Sequence, residues 1–207
     1  MTPALNNIGL NKWDGKYTWY NDFNESGIKH VVRYQVFKGF NGSFAYGNCF
    51  SFIPTTSNNG KKLINHKTDK STTLHLWERL DGWKESFEGT QRENPYDKIS
   101  HWNEKDFRKT LDLVIKKYPK RLENWFDEHN NIEQSILTVK KQIDLGGSYD
   151  FNSPSQQYLL AFLYAYKGDI DTAYNYIQNY YNPIIDRNAD YKYEKELVID
   201  RIRKISC

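Results

Sequence analysis

Residues 28–53 read IKHVVRYQVFKGFNGSFAYGNCFSFI, and their alternation decides the fold. From Ile28 to Phe37, Val32, Tyr34 and Val36 fall on one side, and Val31, Arg33, Gln35 and Phe37 on the other. That period of two is a strand's. Gly39-Phe-Asn-Gly42 follows, and its Asn-Gly pair is the strongest short hairpin signal. Beyond it, Ser43–Ile53 sets Phe44, Tyr46, Phe50 and Phe52 against Ser43, Ala45, Gly47, Cys49 and Ser51. One face is bulky and aromatic. The other is nearly bare, so a helix or ligand can come close to its backbone.

Two more strands flank this hairpin. Lys16–Phe23 is rich in residues that suit a pleated surface, and Asn24-Glu-Ser-Gly27 supplies the turn after it. Pro54–Lys70 is a loop by composition, with Asn58-Asn59-Gly60 at its apex. Ser71–Leu80 then places Leu74, Leu76 and Leu80 on one face, with His75, Trp77 and Arg79 on the other. The pattern predicts an antiparallel meander with one face covered.

Past residue 100 the period changes to that of helices. Asn103 is a suitable N-cap, with Glu104 and Asp106 in the first turn. Phe107, Leu111, Val114, Ile115 and Tyr118 form a stripe that Pro119 ends. Arg121–His129 carries Leu122, Trp125 and Phe126; Ile132, Ile136, Val139 and Ile143 form a further stripe, closed by Gly146-Gly147. Ser153-Pro154 opens the next helix, with proline in its first turn. A last helix spans about residues 190–205. The expected fold class is α+β: a four-stranded antiparallel sheet followed by a C-terminal helical region. The expected domains are 1–145, with the sheet at about 16–80 and helices at about 103–145, and 146–207, a helical hairpin with a terminal helix packed on it.

Within Ser155–Tyr181, two helical stretches flank Lys167-Gly168-Asp169, where Gly ends one helix and Asp caps the next. Ala161 and Ala173 sit where two antiparallel helices need close approach, with Tyr164, Gly168 and Ile177 at matching offsets. This resembles one tetratricopeptide helical hairpin, a unit that normally needs stacked neighbours. The order of elements upstream resembles a bacterial family known by number, domain of unknown function 4304. The resemblance rests on Gly15-Lys-Tyr-Thr-Trp-Tyr20, His30-Val-Val-Arg-Tyr-Gln-Val-Phe-Lys38, Ser43-Phe-Ala-Tyr-Gly-Asn-Cys-Phe-Ser-Phe52 and the stretch Trp102–Ile143, and covers about residues 1–145. It implies a four-stranded antiparallel sheet followed by helices, and carries over no functional residue.

Composition narrows the function. The 207 residues are 38% hydrophobic and 16% aromatic, which argues against disorder despite a mean hydropathy of −0.84. No apolar run approaches the ~20 residues that span a bilayer, so no membrane partner is expected. Met1–Leu10 lacks the basic-then-apolar order of a signal peptide. The net charge of +3 is not concentrated in any segment and gives nucleic-acid binding no support. Cys49 and Cys207 specify no disulfide framework and read as free thiols in a reducing cytoplasm.

No two of His30, His66, His75, His101 and His129 lie within eight residues, and no local metal, phosphate-loop or nucleophile-elbow motif occurs. Cys49 reads as packing in a strand. Glu85/Glu88, Asp127/Glu128 and Asp169/Asp171 read as solvating or helix-starting carboxylates. No catalytic residue, metal ligand or cofactor is expected.

Two surfaces suit a partner. His75, Trp77 and Arg79 on the fourth strand, flanked by Trp83, combine the residue types that anchor interfaces, with burial of Trp77 as core the competing reading. Nine of the 16 tyrosines lie between Tyr158 and Tyr193, giving rigid contact area with a polar end. The expectation is a non-catalytic cytoplasmic interaction module with one protein partner, in its narrower form an immunity-type protein that occludes a toxin. Two alternatives are carried: an enzyme whose site assembles only in three dimensions, where a histidine meets a carboxylate in a pocket, and an aromatic nucleic-acid binder beside Lys61, Lys62, Lys67 and Lys70.

Overall fold

A computed structural model of the chain describes residues 1–38, 41–57, 60–79, 99–100, 103–146 and 153–205. They form two compact units. The first is drawn from Met1–Asn24, Ile28–Cys49 and Thr72–His129; the second is drawn from Glu25–Gly27, Phe50–Ser71 and Asn130–Cys207. The C-terminal helical set thus reaches back to residue 130 and takes in residues 50–71.

The first unit is built on an antiparallel sheet. Its strands are β1 (Lys12–Trp13), β2 (Thr18–Tyr20), β3 (Ile28–Lys38) and β4 (Asn41–Phe50). After β5 (Thr55–Thr56) and β6 (Leu63–Ile64), which pair with each other, come β7 (Leu76–Arg79) and β8 (Ile99–Ser100). The order is β1-β2-β3-β4-β7, with β8 also on β4. The fold class is α+β as expected, and all four expected strands are present; among the described residues the sheet gains two short ones, β1 and β8.

Two of the four are shorter than the pattern predicts, for local reasons. The Asp14 carboxylate accepts from the amides of Lys16 (2.8 Å) and Thr18 (3.0 Å), and Gly15 turns at φ +81°. Residues 14–17 are therefore a side-chain-closed turn between β1 and β2. At the fourth strand the Arg33 guanidinium donates to the Thr72 carbonyl at 2.7 Å, which gives that oxygen a side-chain partner. Regular pairing begins only at Leu76. Leu80 lies outside the described residues.

One sheet face is covered by helices. Trp19, Val32, Tyr34, Phe44 and Tyr46 pack with Leu5 of α1 (Thr2–Asn6), Leu10, Val114 of α2 (Glu104–Lys117), Tyr118, and Leu122 and Phe126 of α3 (Pro119–Glu128). Each such side chain contributes about 1.5–3 kcal/mol of burial. The opposite face carries Tyr20, Val31, Ala45 and Cys49, clustered with Leu74, Phe23 and Trp77. Asn103 caps α2 by accepting from the Asp106 amide at 2.9 Å. Pro119 does more than end α2. Lacking an N–H and fixed near helical φ, it also starts α3.

The second unit holds α4 (Ile132–Leu145), α5 (Gln156–Tyr166), α6 (Ile170–Ile185) and α7 (Tyr191–Ile205). Leu159–Leu163 and Ala165 are buried, because α5 packs against α4, α6 and α7. Ala161 and Ala173 are fully buried, and Gly168 turns between α5 and α6 at φ +86°. Pro154 is not in the first turn of α5. Ser155 is the N-cap, accepting from the Tyr158 amide, and the Ser153–Pro154 bond before it is cis. Residues 54–70 are less irregular than their composition suggests, since β5 and β6 make a small hairpin tied to α5 by the Tyr158 hydroxyl, which donates to the Pro54 carbonyl at 3.0 Å.

Asp169 caps α6, its carboxylate accepting from the Thr172 amide at 3.1 Å. Asp169→Ala is expected to cost about 1 kcal/mol, read as a lower urea midpoint with an unchanged slope. A cost below a few tenths would show that the cap is not used.

Candidate interaction surface

In β7, Trp77 sits opposite Gly47 and Arg79 opposite Ala45, so both point to the face of Cys49 and Val31. The bareness of that face has a steric cause. A Cβ on Gly47 would stand 2.6 Å from the Cα of Trp77 and would overlap the Leu76 carbonyl oxygen. Only glycine lets β7 lie this close. Above it, the Arg79 guanidinium lies 5.0 Å over the Trp77 ring, and its Nη1 donates to the buried Ser43 hydroxyl at 2.8 Å. Both side chains are half-buried. Trp77 packs on its inner side against the cluster of Tyr20, Val31 and Leu74.

Of the four residues expected to form the surface, the structure brings Trp77 and Arg79 together. His75 is fully buried, its amide donating to the Asn48 carbonyl at 2.9 Å. It precedes β7, so the alternation that put it on an outer face does not reach it. Trp83 lies outside the described residues.

The other groups singled out for chemistry sit in packed surroundings. Cys49 is a free thiol, buried, and burial pushes it up to about 12 against the pull of Lys29 and Arg33. A thiol held that high is not a nucleophile at neutral pH. His30 stacks on Phe126 with ring centres 4.5 Å apart, and burial lowers its imidazole to about 4, with Asp127 opposing and His129 adding to the shift. His129 stacks on Trp125 at 4.0 Å and pairs its Nδ1 with the Trp125 carbonyl, and burial lowers it as well. His66 pairs with the Thr55 hydroxyl at 2.9 Å. Among the described residues, no group of three or more His, Cys, Asp or Glu is placed to hold a metal ion, and no helix is long and apolar enough to cross a membrane.

The tyrosines divide. Tyr158 and Tyr181 are buried in helix packing, while Tyr166, Tyr191 and Tyr193 are exposed. Among them lies a feature the sequence pattern did not single out. A cleft of about 460 Å³ opens in the second unit between the β5–β6 hairpin and the start of α7, lined by Thr56, Ser57, Gly60, Tyr180, Asn188, Asp190, Tyr191 and Glu194. Glu194 follows three residues after Tyr191 in an ordinary polar helix, so nothing local distinguished it. No family model, curated protein or solved structure matches the chain.

Proposed function

We propose that the chain is a non-catalytic protein-interaction module, working in the cytoplasm, that binds one partner protein and masks its working surface. An immunity-type protein occluding a toxin is the narrower form. The observation that supports this reading is the Trp77–Arg79 pair. Arg79 is already stacked on the indole and anchored to Ser43, so little side-chain entropy is lost when a partner closes over it. Trp and Arg are also the residue types that most often dominate binding energy.

The test is to isolate the tagged chain from its host at moderate salt and identify what co-purifies at near-equal amount. Arg79→Ala and Trp77→Ala should each weaken that complex by about tenfold or more. Arg79→Ala should leave the fold intact at a stability cost of about 1 kcal/mol, the bond to Ser43. Unchanged affinity in both variants would remove this face from the reading.

A further inference from the structure

We propose that the cleft between the β5–β6 hairpin and the start of α7 binds an organic cation, an alkylammonium or guanidinium group, with Glu194 as its counter-charge. The site is independent of the Trp77–Arg79 surface.

Glu194 is 7% exposed, and what exposure it keeps is toward the cleft it lines. Oε1 accepts from the Tyr181 hydroxyl at 2.8 Å. Oε2 lies beside Gly60 in the cleft wall, and among the described residues no hydrogen bond or ion pair is made to it. The basic residues of α7 that make bonds are engaged elsewhere. Lys195 donates to Gln178 and Asn182, Arg201 to Asn65, and Arg203 to Tyr174. A buried charge is ordinarily paired, because desolvation without a counter-charge costs several kcal/mol. The cleft is where that counter-charge can enter.

The lining selects its chemistry. Gly60, at φ +63°, holds the hairpin backbone against Glu194, and a Cβ there would fill the space in front of Oε2. Asp190 adds a second carboxylate, and Tyr180 and Tyr191 add aromatic wall. Carboxylate plus aromatic wall suits an ammonium or guanidinium group. A hard metal ion would want six or more oxygen ligands, and an anion would be repelled. The raised Tyr180 hydroxyl, shifted first by burial and then by the Glu194 charge, fits the same negative field.

The experiment is a calorimetric titration of the full chain with n-butylamine and butylguanidine at neutral pH, with butanol and butyrate as neutral and anionic controls. Both cations should bind saturably, at least about tenfold tighter than either control. Glu194→Gln keeps an acceptor for Tyr181 and should weaken cation binding by about tenfold or more with the thermal midpoint retained. Should that variant fail to fold, Asp190→Asn, at an exposed position, is expected to weaken binding about threefold. An Nα-acetyl-lysine amide titration separates the sources: tighter than butylamine assigns the cation to a protein's side chain, and weaker assigns it to a free amine. No saturable binding of either cation to 20 mM (about 2 kcal/mol), equal binding of butanol, or an unaffected variant would each overturn the proposal.

Discussion

Replacing Gly47 with alanine is expected to cost about 3 kcal/mol and to disturb the first unit around Trp77. The reason is contact, not backbone conformation. The added methyl would stand 2.6 Å from the Trp77 Cα and 2.7 Å from its Cβ, closer than real carbon atoms approach. Neither neighbour is the free end of a side chain. Both belong to the core of β7, so relief requires the strand itself to move away from β4 and from the cluster of Tyr20, Val31 and Leu74. The same change at Gly15 makes the comparison. Gly15 sits at φ +81° with nothing within 4 Å of where its methyl would stand, so alanine there meets only the left-handed backbone penalty of about 1 kcal/mol. Urea unfolding of both variants, with near-ultraviolet circular dichroism to follow the tryptophans, separates the two costs. Equal and small effects would show that β7 does not rest on Gly47 as described.

How far the sequence carried this can be seen in the same strand. The alternation of Phe44 and Tyr46 against Ala45, Gly47 and Cys49 was legible because a half-buried strand has only one way to sort large from small residues. Its far end was not. Phe50 and Phe52 continue the bulky pattern on paper, but the strand ends at Phe50, and Phe52 stacks on Tyr166 in the second unit at 4.2 Å. Chemical periodicity does not mark where a strand ends. Helix starts were the most readable feature, since Asn103 and Asp169 carry the reason for their position in their own side chains.

Site residues followed the same division. Trp77 and Arg79 share a face because they alternate on a strand, and buried His75 does not join them because the strand begins one residue after it. Glu194 was invisible for a different reason. Its burial depends on Tyr181, thirteen residues earlier, and on Gly60, from a hairpin over a hundred residues away. No window along the chain contains that information.

The first unit is expected to lose about 2 kcal/mol of stability between pH 7.5 and pH 5, and His30 is the main cause. Its imidazole titrates near 6.5 in the unfolded chain and at about 4 in the folded one. Above pH 7 it is neutral in both states and adds no pH dependence. As pH falls through 6.5 the unfolded state takes up a proton that the folded state refuses, so the equilibrium shifts toward unfolding. The loss grows until about pH 4, where it is about 3 kcal/mol, each tenfold difference in proton affinity being worth 1.36 kcal/mol. His129, also lowered by burial, acts in the same direction. The cause at His30 is desolvation against Phe126: the rings are nearly parallel at 9°, and among the described residues Nε2 is buried with no hydrogen-bond partner that could receive its proton. His30→Phe keeps a stacked ring and cannot titrate. It should therefore unfold at the same urea concentration at pH 5 as at pH 7.5 more nearly than the unmodified chain does, recovering most of the 2 kcal/mol. An identical fall in both proteins would mean that His30 is solvated in the native state and that its stack on Phe126 does not hold the ring dry.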